Sequence, residues 1–103
     1  MNAYTFKAGA DQEGPISGAW SAPGADRFGI QISPIGEVET VSVTLQGSIN
    51  GSDWVDLVTA DLKNRMVASG GMSKNPVVCY LRADVRTFTA APGASVKIHV
   101  VAK

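Results

Sequence analysis

The feature that most limits how this chain can fold is a series of short runs in which apolar and polar residues alternate. The clearest run, VETVSVTLQGSI, directs Val41, Val43 and Leu45 to one face and leaves polar residues on the other. ASVKIHVVAK repeats the pattern around Ile98. Alternation with a period of two is typical of a half-buried β-strand.

Further runs of the same kind follow the chain. DRFGIQI and the stretches at Tyr4–Lys7, around Trp20 and from Trp54 are shorter candidates. In VVCYLRADVRTFT one face carries Cys79, Leu81, Ala83 and Val85, and the other carries Tyr80, Arg82, Asp84, Arg86 and Phe88. Residues 61–71 could form one helical turn, but Gly70-Gly71 ends a helix at once, and a loop with a short strand is expected.

The chain has 103 residues, with 11 glycines and 5 prolines between the runs. Its length fits one domain spanning residues 1–103. Seven or eight short strands joined by turns predict an all-β fold, a single antiparallel β-sandwich or a jelly-roll-like domain.

Charge and apolar content exclude several kinds of partner. Lysine plus arginine equals aspartate plus glutamate at 9 each, so the basic surplus that nucleic acid requires is missing. A balanced charge suits a protein that assembles with copies of itself, and a homo-oligomer is expected. No apolar run approaches the ~18 residues that span a membrane, and the first residues lack the pattern of a secretory signal.

Residues capable of catalysis or metal binding are few. His99 is the single histidine and Cys79 the single cysteine, and their separation matches no ligand spacing. Cys79 is expected to be a buried structural thiol, compatible with a reducing cytoplasm. Asp53, Asp56 and Asp61 lie near one turn but lack the spacing of a calcium loop. The sequence therefore predicts no enzyme, no metal and no cofactor.

Asn50-Gly51 predicts a hairpin turn, with Trp54 just beyond it. A bulge near Val55 would reconcile the apolar positions of the returning strand. Trp54 is predicted to plug the core behind the hairpin, and the alternative is a ligand-binding ring. The predicted structural core comprises Trp54, Leu57, Val43, Leu45, Leu81 and Ile98.

The stretch KAGADQEGPISG is rich in glycine and poor in apolar residues. It is interpreted as a surface loop or as part of a partly flexible N-terminal arm, residues 1–18, that orders against a neighbour. On the arm, Tyr4, Phe6 and Ile16 are the expected partner contacts. Arg82 and Arg86 are two further candidates for partner contact, and a solvated face with compensating charges is the alternative.

LQGSINGSDWVDL, followed by YLRADVRTF and ASVKIHVVAK, is similar to a pattern in small β-sandwich proteins of tailed bacteriophages. That pattern has a strand ending in Gly-Ser, a glycine turn, Trp and Leu, and later an aromatic-aliphatic-Arg-Ala strand and a valine-alternating strand. The resemblance begins at Val41 and covers roughly the C-terminal two thirds of the chain. The hairpin also resembles the discoidin-like galactose-binding sandwich.

The phage resemblance implies a virion structural protein. The expected role is a capsid decoration, or cement, protein that is made in the host cytoplasm, binds the major capsid protein on the capsid surface and stabilises the shell. A carbohydrate-binding or accessory module of a tail fibre or baseplate is the alternative, with Trp20 and Tyr4 as platforms. The N-terminal third lies outside the resemblance.

Overall fold

The structure, a computed structural model, describes residues 2–9, 14–15, 20–21, 27–69 and 79–102. These residues form two antiparallel sheets that pack face to face, so the predicted all-β sandwich is confirmed. Within these ranges no helix is long and apolar enough to cross a membrane. The strands are β1 (Asn2–Gly9), β2 (Gly14–Pro15), β3 (Trp20–Ser21), β4 (Phe28–Ile35), β5 (Val38–Ser48), β6 (Val55–Asp61), β7 (Met66–Ser69), β8 (Tyr80–Ala90) and β9 (Ser95–Ala102).

The two sheets are assembled from segments that are distant in the chain. The four-stranded sheet has the order β1-β9-β4-β7, and the five-stranded sheet has β2 and β3 beside β8, followed by β5 and β6. The β5–β6 hairpin stays within one sheet, whereas the steps from β4 to β5, from β6 to β7 and from β8 to β9 cross to the other. Each sheet therefore presents one face to the core and one to the outside.

The core lies between the inward rows of β4, β5, β8 and β9. Four predicted core residues, Val43, Leu45, Leu81 and Ile98, are completely buried there. Alternation accounts for their position, because side chains of one strand point to opposite sides of its sheet. The other large core residues are Phe28, Ile30, Ile32, Val41, Val85, Phe88, Val96 and Val100.

A β-bulge in β8 reverses one predicted orientation. Val43 pairs with Val85, but its neighbour Ser42 pairs with Thr87, so Arg86 is an extra residue without an opposite partner. Strict alternation along β8 predicts that Phe88 lies on the polar outer face together with Arg86. The structure shows that this prediction is wrong. The extra residue shifts the alternation by one position, and Phe88 is only 4% exposed, within the core.

A second bulge lies in β6. Leu45 pairs with Val58 and Gln46 pairs with Asp56, which leaves Leu57 as the extra residue. The sequence predicts a bulge near Val55, and the observed bulge lies two residues further along, at Leu57. Leu57 is half-buried and packs against the edge of the core, where full burial was expected.

The N-terminal segment is part of the sandwich wherever the structure describes it. β1 pairs with β9 in register over its whole length, and Ala8 is completely buried. β2 pairs with β8, opposite Val85 and Asp84. A separate arm is therefore the wrong description of residues 2–9 and 14–15, because a backbone ladder fixes both segments. Ile16 lies outside the described residues.

Candidate functional site

The outer face of the five-stranded sheet carries a network of polar side chains. Arg82 Nε donates to Gln46 Oε1 at 2.7 Å, and Gln46 Nε2 donates to Asp56 Oδ1 at 2.9 Å. Arg86 binds Asp56 through Nη2 and Asp84 through Nε, both at 2.6 Å. We call these five residues the charged network. Each of these side chains has at least one partner within the network.

Trp54 belongs to this outer face and not to the core. The central guanidinium carbon of Arg82 lies 4.3 Å from the centroid of the Trp54 ring, in a cation–π contact. The ring is half-buried and is not part of the buried apolar cluster. The predicted core position is wrong because Trp54 precedes the first paired residue of β6, where the hairpin loop directs it outward.

The hairpin loop is organised by the side chain of Asn50. Its Oδ1 accepts hydrogen bonds from the backbone N–H groups of Ser52 and Asp53 and from the Ser48 hydroxyl. Its Nδ2 donates to the Asp53 carboxylate at 2.8 Å. Gly51 has a φ of 78°, a conformation that glycine adopts without strain. The predicted turn therefore also depends on the amide of Asn50.

A pair of aromatic rings joins the edges of the two sheets. Tyr4 of β1 and Trp20 of β3 stack with ring centroids 4.5 Å apart and planes 4° apart. The Tyr4 hydroxyl donates to the carbonyl of Ser21 at 3.3 Å. Both rings are half-buried, and Trp20 also packs against the core. Each ring is a structural contact of the other, which removes one stacking face from each as a ligand platform.

Two lysines lie side by side on the outer face of the four-stranded sheet. Lys7 of β1 and Lys97 of β9 are directly opposite in the ladder and both are exposed. Like charges in that position repel each other. Neither ammonium group forms an ion pair with any residue that the structure describes, so the repulsion is not compensated within that part of the chain.

The same outer face also has an apolar depression of about 190 Å³ centred on Gly29. Met66 and Val101 border it and are 74% and 36% exposed, and Ala68 and His99 complete the rim. The floor is open because a glycine has no side chain: a Cβ at Gly29 would come no nearer than 3.9 Å to the carbonyl oxygen of Val67. A partner that fits this depression would bury the exposed parts of Met66 and Val101.

The candidate chemical groups are dispersed. Asp53 binds Asn50, Asp56 binds Arg86, and Asp61 accepts from backbone N–H groups of its own turn. His99 Nδ1 lies 3.1 Å from the Thr5 hydroxyl, and Cys79 is half-buried before β8. Among the described residues no three histidine, cysteine, aspartate or glutamate side chains converge in a geometry suited to a metal ion.

The predicted contact residues that the structure describes do not form one surface. Tyr4 points between the sheet edges, and the backbone of Phe6 pairs with Ile98. Arg82 and Arg86 lie on the opposite outer face, within the charged network. The lysine pair and the apolar depression were not predicted. The sequence identifies Lys97 only as a polar position of its strand. No pattern in the residues around Lys7 or Lys97 indicates that the two are neighbours.

Comparisons with known proteins identify a structural neighbour that matches the whole chain. No family model matches the chain, and no curated protein matches its sequence. The chain is similar to the crystal structure of the SPBc2 prophage-derived protein YomS, with a TM-score of 0.55 and 8% sequence identity. The match covers 100% of this chain and 96% of that one. At this identity, the likeness concerns the fold of the whole sandwich.

Proposed function

We propose that this chain is a non-enzymatic structural protein of a bacteriophage virion, which binds the outside of the capsid and stabilises it as a decoration protein. The proposal is supported by the likeness of its fold to a prophage-derived protein over the whole chain. It is also supported by the independent sequence resemblance that begins at Val41.

The outer face of the four-stranded sheet is the observation that carries the binding role. It combines Lys7 and Lys97, which have no ion-pair partner among the described residues, with the exposed side chains of Met66 and Val101. A partner that places carboxylates against the lysines and apolar groups in the depression removes the repulsion and buries the apolar surface. The charged network on the opposite face offers less to a partner, since opposite charges within it are already paired.

The partner in this proposal is the major capsid protein, with acidic groups around an apolar centre. Burial of apolar surface stabilises each contact by about 25 cal/mol per Å², offset by the cost of association. A small contact suffices, because the symmetry of the shell repeats it many times. Neither nucleic acid nor lipid takes part.

The test is to strip the protein from particles and add it back. The native chain should rebind at a fixed stoichiometry and raise the temperature at which particles rupture. The double variant K7E/K97E should rebind at least tenfold more weakly, since charges of the wrong sign then face the capsid. A matched control is K63E, which changes an exposed lysine of the turn after β6.

The outcomes separate the role from the face that performs it. A native chain that has no affinity for capsids contradicts the decoration role. A native chain that binds, together with a K7E/K97E variant that binds equally well, supports the role and contradicts the assignment of this face.

A carbohydrate-binding module of a tail fibre or baseplate is the second candidate. The observation that favours it is the position of Trp54 outside the core, at a hairpin whose turn residue Gly51 lies beside the exposed ring of Tyr80. The contact of Arg82 on the Trp54 ring and the mutual stacking of Tyr4 and Trp20 weigh against it. Quenching of tryptophan fluorescence by host glycans, lost in W54A, would support this candidate.

A further inference from the structure

Two of the sheet edges in the described part of the chain carry features that discourage pairing with another chain. β6 contains the bulge at Leu57. On the edge beside β8, β2 includes Pro15, which has no backbone N–H to donate. Short strands, bulges and prolines are the usual means by which proteins protect an edge.

The edge strand β1 differs in both respects. It pairs with β9 over eight consecutive residues without a register shift, and it contains no proline. Among its outward side chains Ala3 and Thr5 are small, and Lys7 is the one charge that would hinder a badly aligned neighbour. A long, regular edge strand is a ready template for a further strand.

The aromatic pair lies at the same edge. Tyr4 projects from β1 itself, and Trp20 stacks on it from the neighbouring sheet, with both rings half-buried. Tyrosine and tryptophan are enriched at the centres of protein interfaces, where their remaining exposed surface is covered by the partner. The regular edge strand β1 is thus next to side chains that gain from being covered.

We propose that two copies of this chain pair through β1, antiparallel and about a two-fold axis, so that two four-stranded sheets form one continuous sheet. A second copy fits this edge because an isologous contact uses the same strand twice and closes as a dimer. Antiparallel pairing centred on Thr5 places Lys7 opposite Ala3 of the partner subunit. Parallel pairing in register would place two Lys7 side chains together, which is unfavourable.

Pairing through β1 stands independently of the capsid role, since it concerns only the affinity of the chain for itself. It has a consequence for that role. The outer faces of the two four-stranded sheets become continuous, and the dimer presents two lysine pairs and two apolar depressions to one partner surface. Two linked contacts bind more tightly than one, without any new kind of interaction.

Ala3 provides a test in which two variants should have opposite effects. It is exposed and small, so charged replacements should leave the fold intact. In the dimer, A3K creates two like-charge pairs with Lys7 and should weaken dimerisation about two- to thirtyfold. A3E creates two opposite-charge pairs at the same positions and should strengthen it by a similar factor. V55K, at an exposed position of the bulged edge strand β6, is the matched control and should leave dimerisation unchanged.

The measurement is sedimentation velocity of the native chain and the three variants over a range of concentrations. Hydrogen exchange provides a second readout, because backbone amides of β1 should become more protected as the concentration rises. A native chain that stays monomeric up to about 1 mM overturns the proposal. A dimer whose dissociation constant is unchanged in both A3K and A3E, or whose β1 amides show no concentration-dependent protection, also overturns it.

Discussion

The rings of Tyr4 and Trp20 stack at 4.5 Å and connect the first strand of the four-stranded sheet to the edge of the five-stranded sheet. The contact joins β1 to β3, and the alternating pattern of the sequence gives no sign that these two segments are neighbours. It also explains why neither ring is a ready platform for a sugar, since each covers one face of the other. The pair closes one side of the sandwich, and its energy can be measured directly.

Tyr4 and Trp20 should be energetically coupled. In a double-mutant cycle with Y4A and W20A, the coupling in the free energy of unfolding should be about 0.5–1.5 kcal/mol, as for other aromatic pairs. Urea unfolding at a concentration at which the chain is monomeric gives the four values. Y4F is the control, because it keeps the ring and removes only the hydroxyl that donates to Ser21. Additive effects of Y4A and W20A would contradict the coupling.

Replacing Trp54 should cost much less stability than replacing a core residue. W54A removes a half-buried ring and its cation–π contact with Arg82, and should lower the free energy of unfolding by about 1–2 kcal/mol. L81A, which empties a completely buried site, should lower it by about 2–5 kcal/mol. Chemical denaturation of both variants gives the comparison. An equal or larger loss in W54A would place the ring in the core after all.

Phe88 should behave as a core residue despite its position in the alternation. The bulge at Arg86 turns it inward, so F88A should lower the free energy of unfolding by about 3–5 kcal/mol. T87A is the neighbouring control. It removes an exposed hydroxyl paired with Ser42 and should cost about 0.5–1.5 kcal/mol. If T87A were the more damaging of the two, the bulge would be misplaced.

The Asn50 side chain should stabilise the hairpin through its hydrogen bonds to the loop backbone. N50A should lower the free energy of unfolding by about 1–2 kcal/mol, because two backbone N–H groups lose their acceptor. N50D keeps that acceptor but faces the Asp53 carboxylate, so its loss should be intermediate and should shrink as salt is added. S52A alters only an exposed side chain and should change stability by less than about 0.5 kcal/mol. Equal stabilities of N50A and S52A would contradict this role.

Metal ions should not stabilise the fold. A ligand that binds only the folded state raises its melting temperature, and Asp53, Asp56 and Asp61 are engaged separately. Thermal unfolding with millimolar calcium or zinc should match that in a chelator. A dose-dependent rise with either ion would reveal a site.

The strand faces were predictable wherever a strand is regular. Val43, Leu45, Leu81 and Ile98 follow from period-two alternation, because neighbouring side chains must point to opposite sides of a sheet. The same rule fails at Phe88 and Leu57, because a single bulged residue shifts the pattern and leaves no clear trace in composition. It fails at Trp54 because that residue lies in a loop, where no alternation applies.

The candidate binding face was less predictable, because it is made by pairing across the chain. Lys7 and Lys97 are adjacent only since β1 pairs with β9, and Met66 borders Gly29 only since β7 pairs with β4. Strand pairing between such distant segments is governed by the packing of the whole core.

Residue order alone thus specified an all-β chain, a hairpin at Asn50-Gly51 and most of the inward rows, since these depend on turn chemistry and on the two-residue period of a strand. Long-range packing determined which strands are neighbours, where bulges turn Phe88 inward, and that Tyr4 meets Trp20. It also brought two lysines together on one face and placed β1 at the end of the four-stranded sheet. These features arise from contacts between segments that share no local signal, and they form only when both sheets close over a common core.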